Sequence, residues 1–202
     1  HSAKAEKLKS GLRLDSRGNR ELKTPYVWHI DSTYVKPRVR ITMLLGRIVP
    51  SGCAETEFCD LRLAWEALSA DEQARLENLT ALHWLIHSRT QSGIESSEED
   101  HERFQPIPRP LVAVHPESGR KALCLASHVA GIVGMEDAKA LALVAELIER
   151  AAVPANCYTH HWEPGDLLLW DNHAVMHRAT PYDATVHKRD MRTLRLEDLT
   201  DA

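Results

Sequence analysis

The segment Trp28, His29, Ile30, Asp31, Ser32 places an imidazole and a carboxylate two residues apart. In an extended chain, positions i and i+2 point to the same face, so His29 and Asp31 can grip one metal ion from one side. Far downstream, the run from Trp170, Asp171 and Asn172 to Met176, His177 and Arg178 offers a second imidazole, His177, to complete a three-ligand face. Two histidines and one carboxylate, with other positions left open, suit a non-haem Fe(II) oxygenase. The same donors also bind Zn(II) and would then serve hydrolysis. A His-x-Asp pair alone is a common coincidence, and with 12 histidines in the chain a third ligand is easily found. The neighbours must decide.

Composition narrows the classes. The chain has 202 residues, enough for one domain with a sizeable core. Charged residues make up 27% and the net charge is −4, an ordinary balance that argues against a nucleic-acid or membrane-surface partner. No apolar run approaches the ~18–20 residues that span a bilayer, and no signal peptide is visible. Cys53, Cys59, Cys124 and Cys157 lack CxxC spacing and read as reduced thiols of a cytoplasmic protein. The expected partner is a small molecule. Oligomeric state stays open, with a homo-oligomer among the options.

The elements that must position these residues follow from pattern. Residues 1–22 read as a polar leader with turn residues Asp15, Gly18 and Asn19. Residues 26–31 read as extended, and 39–49 as an apolar strand closed by Pro50, Ser51 and Gly52. Asp60 is placed to cap a helix to residue 68, and Ser69 with Glu72 forms a capping-box signature for a second helix to about residue 79. Residues 82–87 resume an extended pattern. The stretch 90–107 is polar and unpatterned, which predicts a lid loop. Residues 111–115 and 122–125 flank a hairpin turn. Apolar residues at 141, 143, 144, 147 and 148 predict a helix over 136–152, and strands are expected at 158–162, 167–170 and 191–196. Many short strands and few helices predict an antiparallel β-sandwich or barrel with helical insertions, in a single domain over 1–202.

The residues around the ligand candidates carry a family resemblance. The run from Trp28 to Thr33, Pro50, and the run Thr56, Glu57, Phe58, Cys59, Asp60, Leu61, Arg62 are similar to the taurine / 2,4-dichlorophenoxyacetate dioxygenase family (TauD/TfdA). So are the run from His115 to Lys121, Gly165 with Asp166, Trp170 to Asn172, and Met176 to Ala179. These blocks match in order and spacing across residues 26–196, and the aryloxyalkanoate branch is more similar than the taurine branch. The resemblance implies a mostly β, double-stranded β-helix (jelly-roll, cupin-like) fold. It also implies Fe(II), 2-oxoglutarate as co-substrate, O2 as oxidant, and hydroxylation of a small organic acid with release of succinate and CO2. Hydroxylation beside an ether or ester oxygen would cleave that bond, so aryloxyalkanoates, sulfonates and sulfate esters are all candidate substrates.

Carried over by position, His29, Asp31 and His177 are the implied iron ligands. Arg189 matches the arginine that clamps the far carboxylate of 2-oxoglutarate, and Thr56 matches the threonine that hydrogen-bonds it. A planar guanidinium suits that bidentate role. His128, Thr33 and Arg192 are candidate substrate residues.

Three departures stand out. Where the family has Gly-Gly-Asp-Thr, this chain has Cys53, Ala54, Glu55 and Thr56, with neither glycine. The family's second arginine, which often binds the substrate's anionic group, falls on Thr193, and Arg192 would replace it only after a register shift. Only 28 residues precede His29, so the N-terminal part of the family's domain is expected to be missing from this chain. A non-catalytic oxoglutarate-binding relative and a zinc hydrolase are the competing readings.

Overall fold

The computed structural model describes residues 26–201. The polar leader expected over 1–22 lies outside them. In chain order the elements are β1 (Val39–Ile48), β2 (Thr56–Asp60), α1 (Leu61–Glu66), α2 (Ala70–Leu76), β3 (Thr80–His83), α3 (Leu85–Gln91) and α4 (Glu98–Arg103). Then come β4 (Ile107–Pro110), β5 (Val112–Val114), β6 (Lys121–Leu123), β7 (Val129–Ile132) and α5 (Asp137–Ala151). β8 (Cys157–His160), β9 (Leu167–Asp171), β10 (Val175–Ala179) and β11 (Asp190–Glu197) complete a mostly β architecture.

The strands form three antiparallel three-stranded sheets, β11-β1-β9, β10-β2-β8 and β4-β3-β7, with the β5-β6 hairpin beside them. β1 is the longest strand and the centre of the first sheet. Its register sets Thr42 opposite Arg195 and Trp170, and Leu44 opposite Thr193. Alternation then turns Met43 to the other face, beside Leu194 and Leu169, which are 44% and 56% exposed. One face of this sheet is therefore committed to whatever Thr42, Thr193 and Arg195 surround.

The helices close the far side of the core. α5 buries Ala140, Val144, Leu147 and Ala151, a 4-3-4 spacing that keeps one stripe inward. It packs on β7 and on α1, which also covers β6. Both expected caps are present. The Asp60 carboxylate accepts the Arg62 amide at 2.8 Å, and the Ser69–Glu72 box opens α2.

Four expectations need correction. Residues 26–31 make a single bridge at His29 rather than a strand. Residues 85–91 are helical. The alternation of Leu82, Trp84 and Ile86 reads as strand, but β3 ends at His83 and the chain turns to bury Ile86 and Ser88. The stretch 90–107 is not one loop, since it holds α4. Ser97 and Asp100 form a reciprocal capping box there, and three acids favour the helix's positive N-terminal end. Strands β2, β4, β7 and β10 were not anticipated, being only four or five residues each.

Leu147 is 2% exposed at the α5 contact. Replacing it with alanine should cost about 2–5 kcal/mol, read as a fall in the urea midpoint at unchanged slope. A change within about 0.5 kcal/mol would show that α5 is not packed as described.

Candidate active site

The site is assembled by pairing, not by local spacing. His29 and His177 exchange two backbone hydrogen bonds, N–H to O at 3.0 Å and 2.8 Å, and this bridge lays the segment before Asp31 along β10. The two imidazoles then stand with ring centroids 4.3 Å apart. After Asp31 the chain turns away through Ser32, whose φ of 57° is the left-handed region non-glycine residues avoid. His29 Nε2 lies 3.9 Å from one carboxylate oxygen of Asp31, and His177 Nε2 lies 3.7 Å from the other. One ligand atom from each of the three residues falls within 4.8 Å of the others, which is the spacing of a shared ion.

Surrounding groups hold these donors in place. His29 donates its Nδ1 proton to the Val27 carbonyl oxygen at 2.8 Å, which turns the lone pair of Nε2 toward Asp31. Asp31 accepts the Thr42 hydroxyl at 2.6 Å, and Asn172 Nδ2 donates to that hydroxyl oxygen at 3.0 Å. The same Asn172 accepts the Asp31 amide at 3.2 Å, so one buried amide aligns both backbone and side chain. Burial alone would raise the Asp31 carboxyl, but His177, Arg195, His29 and the Thr42 bond bring it down to about 2. Burial, then His29, pushes His177 down to about 3 against the pull of Asp31. Near neutral pH Asp31 is ionised and His177 neutral, the states that metal ligation needs. Phe58 and Trp170 flank the His177 ring, with centroids at 6.0 and 4.7 Å.

The triad opens into a cavity of about 280 Å³ lined also by Tyr34, Thr42, Leu44, Leu85, Trp170 and Thr193. Thr56 and Arg189 lie in its wall as expected. Thr56 accepts the Trp162 indole N–H at 3.0 Å, which leaves its own hydroxyl proton free to donate. The turn before it keeps a glycine-like conformation without glycine: Ala54 takes φ 61°, which costs about 1–2 kcal/mol. Arg189 is half-buried, and its Nε is shut off from water with no hydrogen-bond partner. Burial lowers its pKa from the usual value, and its electrostatic neighbours are the phenols of Tyr182 and Tyr26 rather than a carboxylate. A water-excluded N–H without an acceptor is costly, and the cavity that Arg189 lines is where an anion would remove that cost.

The substrate candidates fare differently. Arg192 pairs with Leu45 and does not line the cavity, because alternation in β11 turns Thr193 and Arg195 inward instead. Arg195, which sequence reasoning missed, lies 3.7 Å from Asp31 Oδ1. Thr33 is fully buried beside the site rather than in it, with its hydroxyl 2.7 Å from His83 Nδ1 and 2.5 Å from His128 Nε2. His128 reaches both this cluster and the cavity wall. Thr42 was also missed. Its only signal was a threonine among the apolar residues of 41–45.

Residues 6–195 match the sequence model of the family described as "Taurine catabolism dioxygenase TauD, TfdA family". The (S)-phenoxypropionate/alpha-ketoglutarate-dioxygenase of Sphingobium herbicidovorans is 40% identical over 184 residues, covering 86% of this chain and 64% of that protein. The alpha-ketoglutarate-dependent 2,4-dichlorophenoxyacetate dioxygenase of Cupriavidus pinatubonensis is 39% identical over 173 residues, 85% of this chain and 60% of that protein. This chain thus spans less than two thirds of the length of either relative. The crystal structure of AAD-2 with Mn(II) and N-oxalylglycine superposes with a TM-score of 0.84 at 34% identity, over 89% of this chain and 71% of that one.

His83 and His128 give the site wall an acid limit. Burial, then Arg109 and Arg38, holds His83 at about 3, and burial, then His83, holds His128 well below its usual value. Unfolded histidine takes up a proton near 6.5, so below that pH the unfolded chain binds more protons than the folded one and stability falls with falling pH. Each of the two should cost up to roughly 1.4 kcal/mol per pH unit below 6.5. The thermal midpoint of chelator-treated protein should therefore drop steadily from pH 6.5 to 4.5; a flat profile would show that these rings are hydrated.

Proposed function

We propose, for a chain that belongs to the taurine catabolism dioxygenase TauD, TfdA family, that it is the catalytic core of an Fe(II)/2-oxoglutarate-dependent dioxygenase acting on a small organic acid. The observation that carries this reading is the Arg189 guanidinium, with its water-excluded and unpartnered Nε, in the same cavity as the His29, Asp31, His177 triad. One cluster wants a cation and the other an anion. A dicarboxylate chelating the metal at one end and pairing with Arg189 at the other satisfies both.

In this reading His29, Asp31 and His177 hold Fe(II), whose preference for two imidazoles and one carboxylate the donor set fits. Bound there with 2-oxoglutarate and O2, the metal supplies oxidation of a substrate C–H bond to C–OH, with 2-oxoglutarate leaving as succinate and CO2. The chain's own residues supply placement. Asn172 and Thr42 fix the Asp31 carboxylate, so the ligand face is formed before anything binds. Arg189 forms charge-assisted hydrogen bonds to the far carboxylate and Thr56 donates its free hydroxyl proton to it, which sets the co-substrate's register. Trp170 and Phe58 keep water from the His177 side.

The two relatives' names point to aryloxyalkanoic acids, and the cavity's Leu44, Leu85, Tyr34 and Trp170 suit an apolar body of that kind. Hydroxylation at the carbon beside the ether oxygen would give a hemiacetal that collapses to a phenol and a keto acid or aldehyde acid. We read the fold as a double-stranded β-helix, with β11-β1-β9 and β10-β2-β8 as its facing sheets. The four cysteines are free, in keeping with a cytoplasmic setting, and among the described residues no helix is long and apolar enough to cross a membrane.

Succinate release that requires Fe(II), O2 and 2-oxoglutarate is the expected activity, and hydrolysis without them would replace this reading with a zinc hydrolase. His29→Ala should abolish succinate release while leaving the circular-dichroism spectrum unchanged. Arg189→Gln should raise the KM for 2-oxoglutarate roughly 10- to 100-fold, from the loss of charge-assisted hydrogen bonds. An unchanged KM would remove Arg189 from the site.

A further inference from the structure

The cavity wall carries two guanidinium groups that differ in kind. Arg189 is half-buried with a water-excluded, unpartnered Nε, whereas the Arg195 side chain is 52% exposed. They lie six residues apart, on or just before a strand that rises about 3.3 Å per residue, so they serve opposite parts of the cavity. Arg189 sits in the wall with Thr56. Arg195 stands against the metal-binding carboxylate Asp31.

The geometry points to Arg195, with the Thr193 hydroxyl beside it, as the subsite that holds the anionic group of the primary substrate. This rests on reading Arg189 as the anchor of the co-substrate, because that use leaves Arg195 as the second guanidinium lining the cavity among the described residues. The register excludes the other candidate on the strand. Arg192 pairs with Leu45 on the opposite face, while Thr193 and Arg195 pair with Leu44 and Thr42, both of which also line the cavity. A threonine at 193 brings no charge to an anion, and its hydroxyl can add one hydrogen bond to an acid held by Arg195.

Arg195 is free to take this part. Its contact with Asp31 is a 3.7 Å ion pair from a half-exposed side chain, and such pairs are weak. Asp31 keeps other support, since Thr42 bonds the carboxylate at 2.6 Å and His177 and His29 stand beside it. Next to Arg195 along the wall, Tyr34 stands edge-on to His128 at 5.0 Å and to Phe104 at 6.5 Å, a rigid aromatic surface for the body of the acid. The ligand class is a monoanionic organic acid with an apolar body, its charge at the cavity mouth.

The test is a binding titration on protein loaded with Mn(II) and N-oxalylglycine, where nothing turns over. Phenoxyacetate, (S)-2-phenoxypropionate and hexyl sulfate are compared with neutral phenoxyacetamide, in the wild type and in Arg195→Gln, Arg195→Lys and Thr193→Val. We expect the wild type to bind at least one acid about tenfold more tightly than the amide. Arg195→Gln should erase that preference and leave amide and N-oxalylglycine affinities unchanged. Arg195→Lys should keep part of the preference, and Thr193→Val should lower acid affinity less than Arg195→Gln does. A wild type that does not prefer any acid, or an Arg195→Gln variant that keeps its preference or weakens acid and amide alike, overturns the proposal. Failure of the co-substrate reading is seen separately, as N-oxalylglycine affinity that Arg189→Gln does not change; the acid titrations are then repeated with Mn(II) alone and judged by the same criteria.

Discussion

Two backbone hydrogen bonds between His29 and His177 carry more of this structure than their number suggests. They are the bridge by which a segment with no strand of its own joins β10, and through it two imidazoles from opposite ends of the chain come to share one point. A third bond, from the Ser127 amide to the Trp28 carbonyl, holds the same segment to the chain just before β7. Because β10 is itself paired to β2, the position of His177 is set by a sheet, and His29 borrows that rigidity. A site on a loop would be less exact.

Asp31 is the costly member of the set. A carboxylate 8% exposed must recover what it loses in hydration, and Thr42, Asn172 and the neighbouring cation Arg195 supply the compensation. This accounts for two residues that packing alone would not choose. Thr42 and Asn172 are each 1% exposed, where hydrophobes would fit. Both serve the Asp31 carboxylate. The turn at Ser32, with its left-handed φ, is the backbone counterpart: strain accepted so that the chain leaves the site immediately after the ligand.

Depth sorts the remaining polar groups. His83, Thr33 and His128 form a buried cluster bonded to one another, with only His128 reaching the cavity wall. Arg189 is the opposite case, a half-buried cation whose water-excluded Nε has no hydrogen-bond partner among the described residues. Arg195 lies between them, half in water and weakly paired. The same residue type thus has different chemistry at two points of one wall, because desolvation raises the value of a counter-ion where water cannot reach.

Much of this was legible in the residues. The ligand pair and His177 stood out by type and spacing, Arg189 and Thr56 by the family pattern alone, and the caps at Asp60 and Ser69 and the helix of residues 137–151 followed from local rules that need only neighbouring residues. Other features lay beyond such rules. Nothing near Arg192 in sequence says that it points away while Arg195 points in, and nothing near Thr42 or Asn172 names Asp31 as the partner. Those facts depend on the β1–β11 register and on the approach of β9 to β1, which are settled by hydrogen bonds between distant strands. The sequence by itself determined which groups could bind a metal and a dicarboxylate, since chemical type is local. Only the tertiary structure decided which side chains face the cavity, since a one-residue change of register would turn every side chain of β11 to its other face.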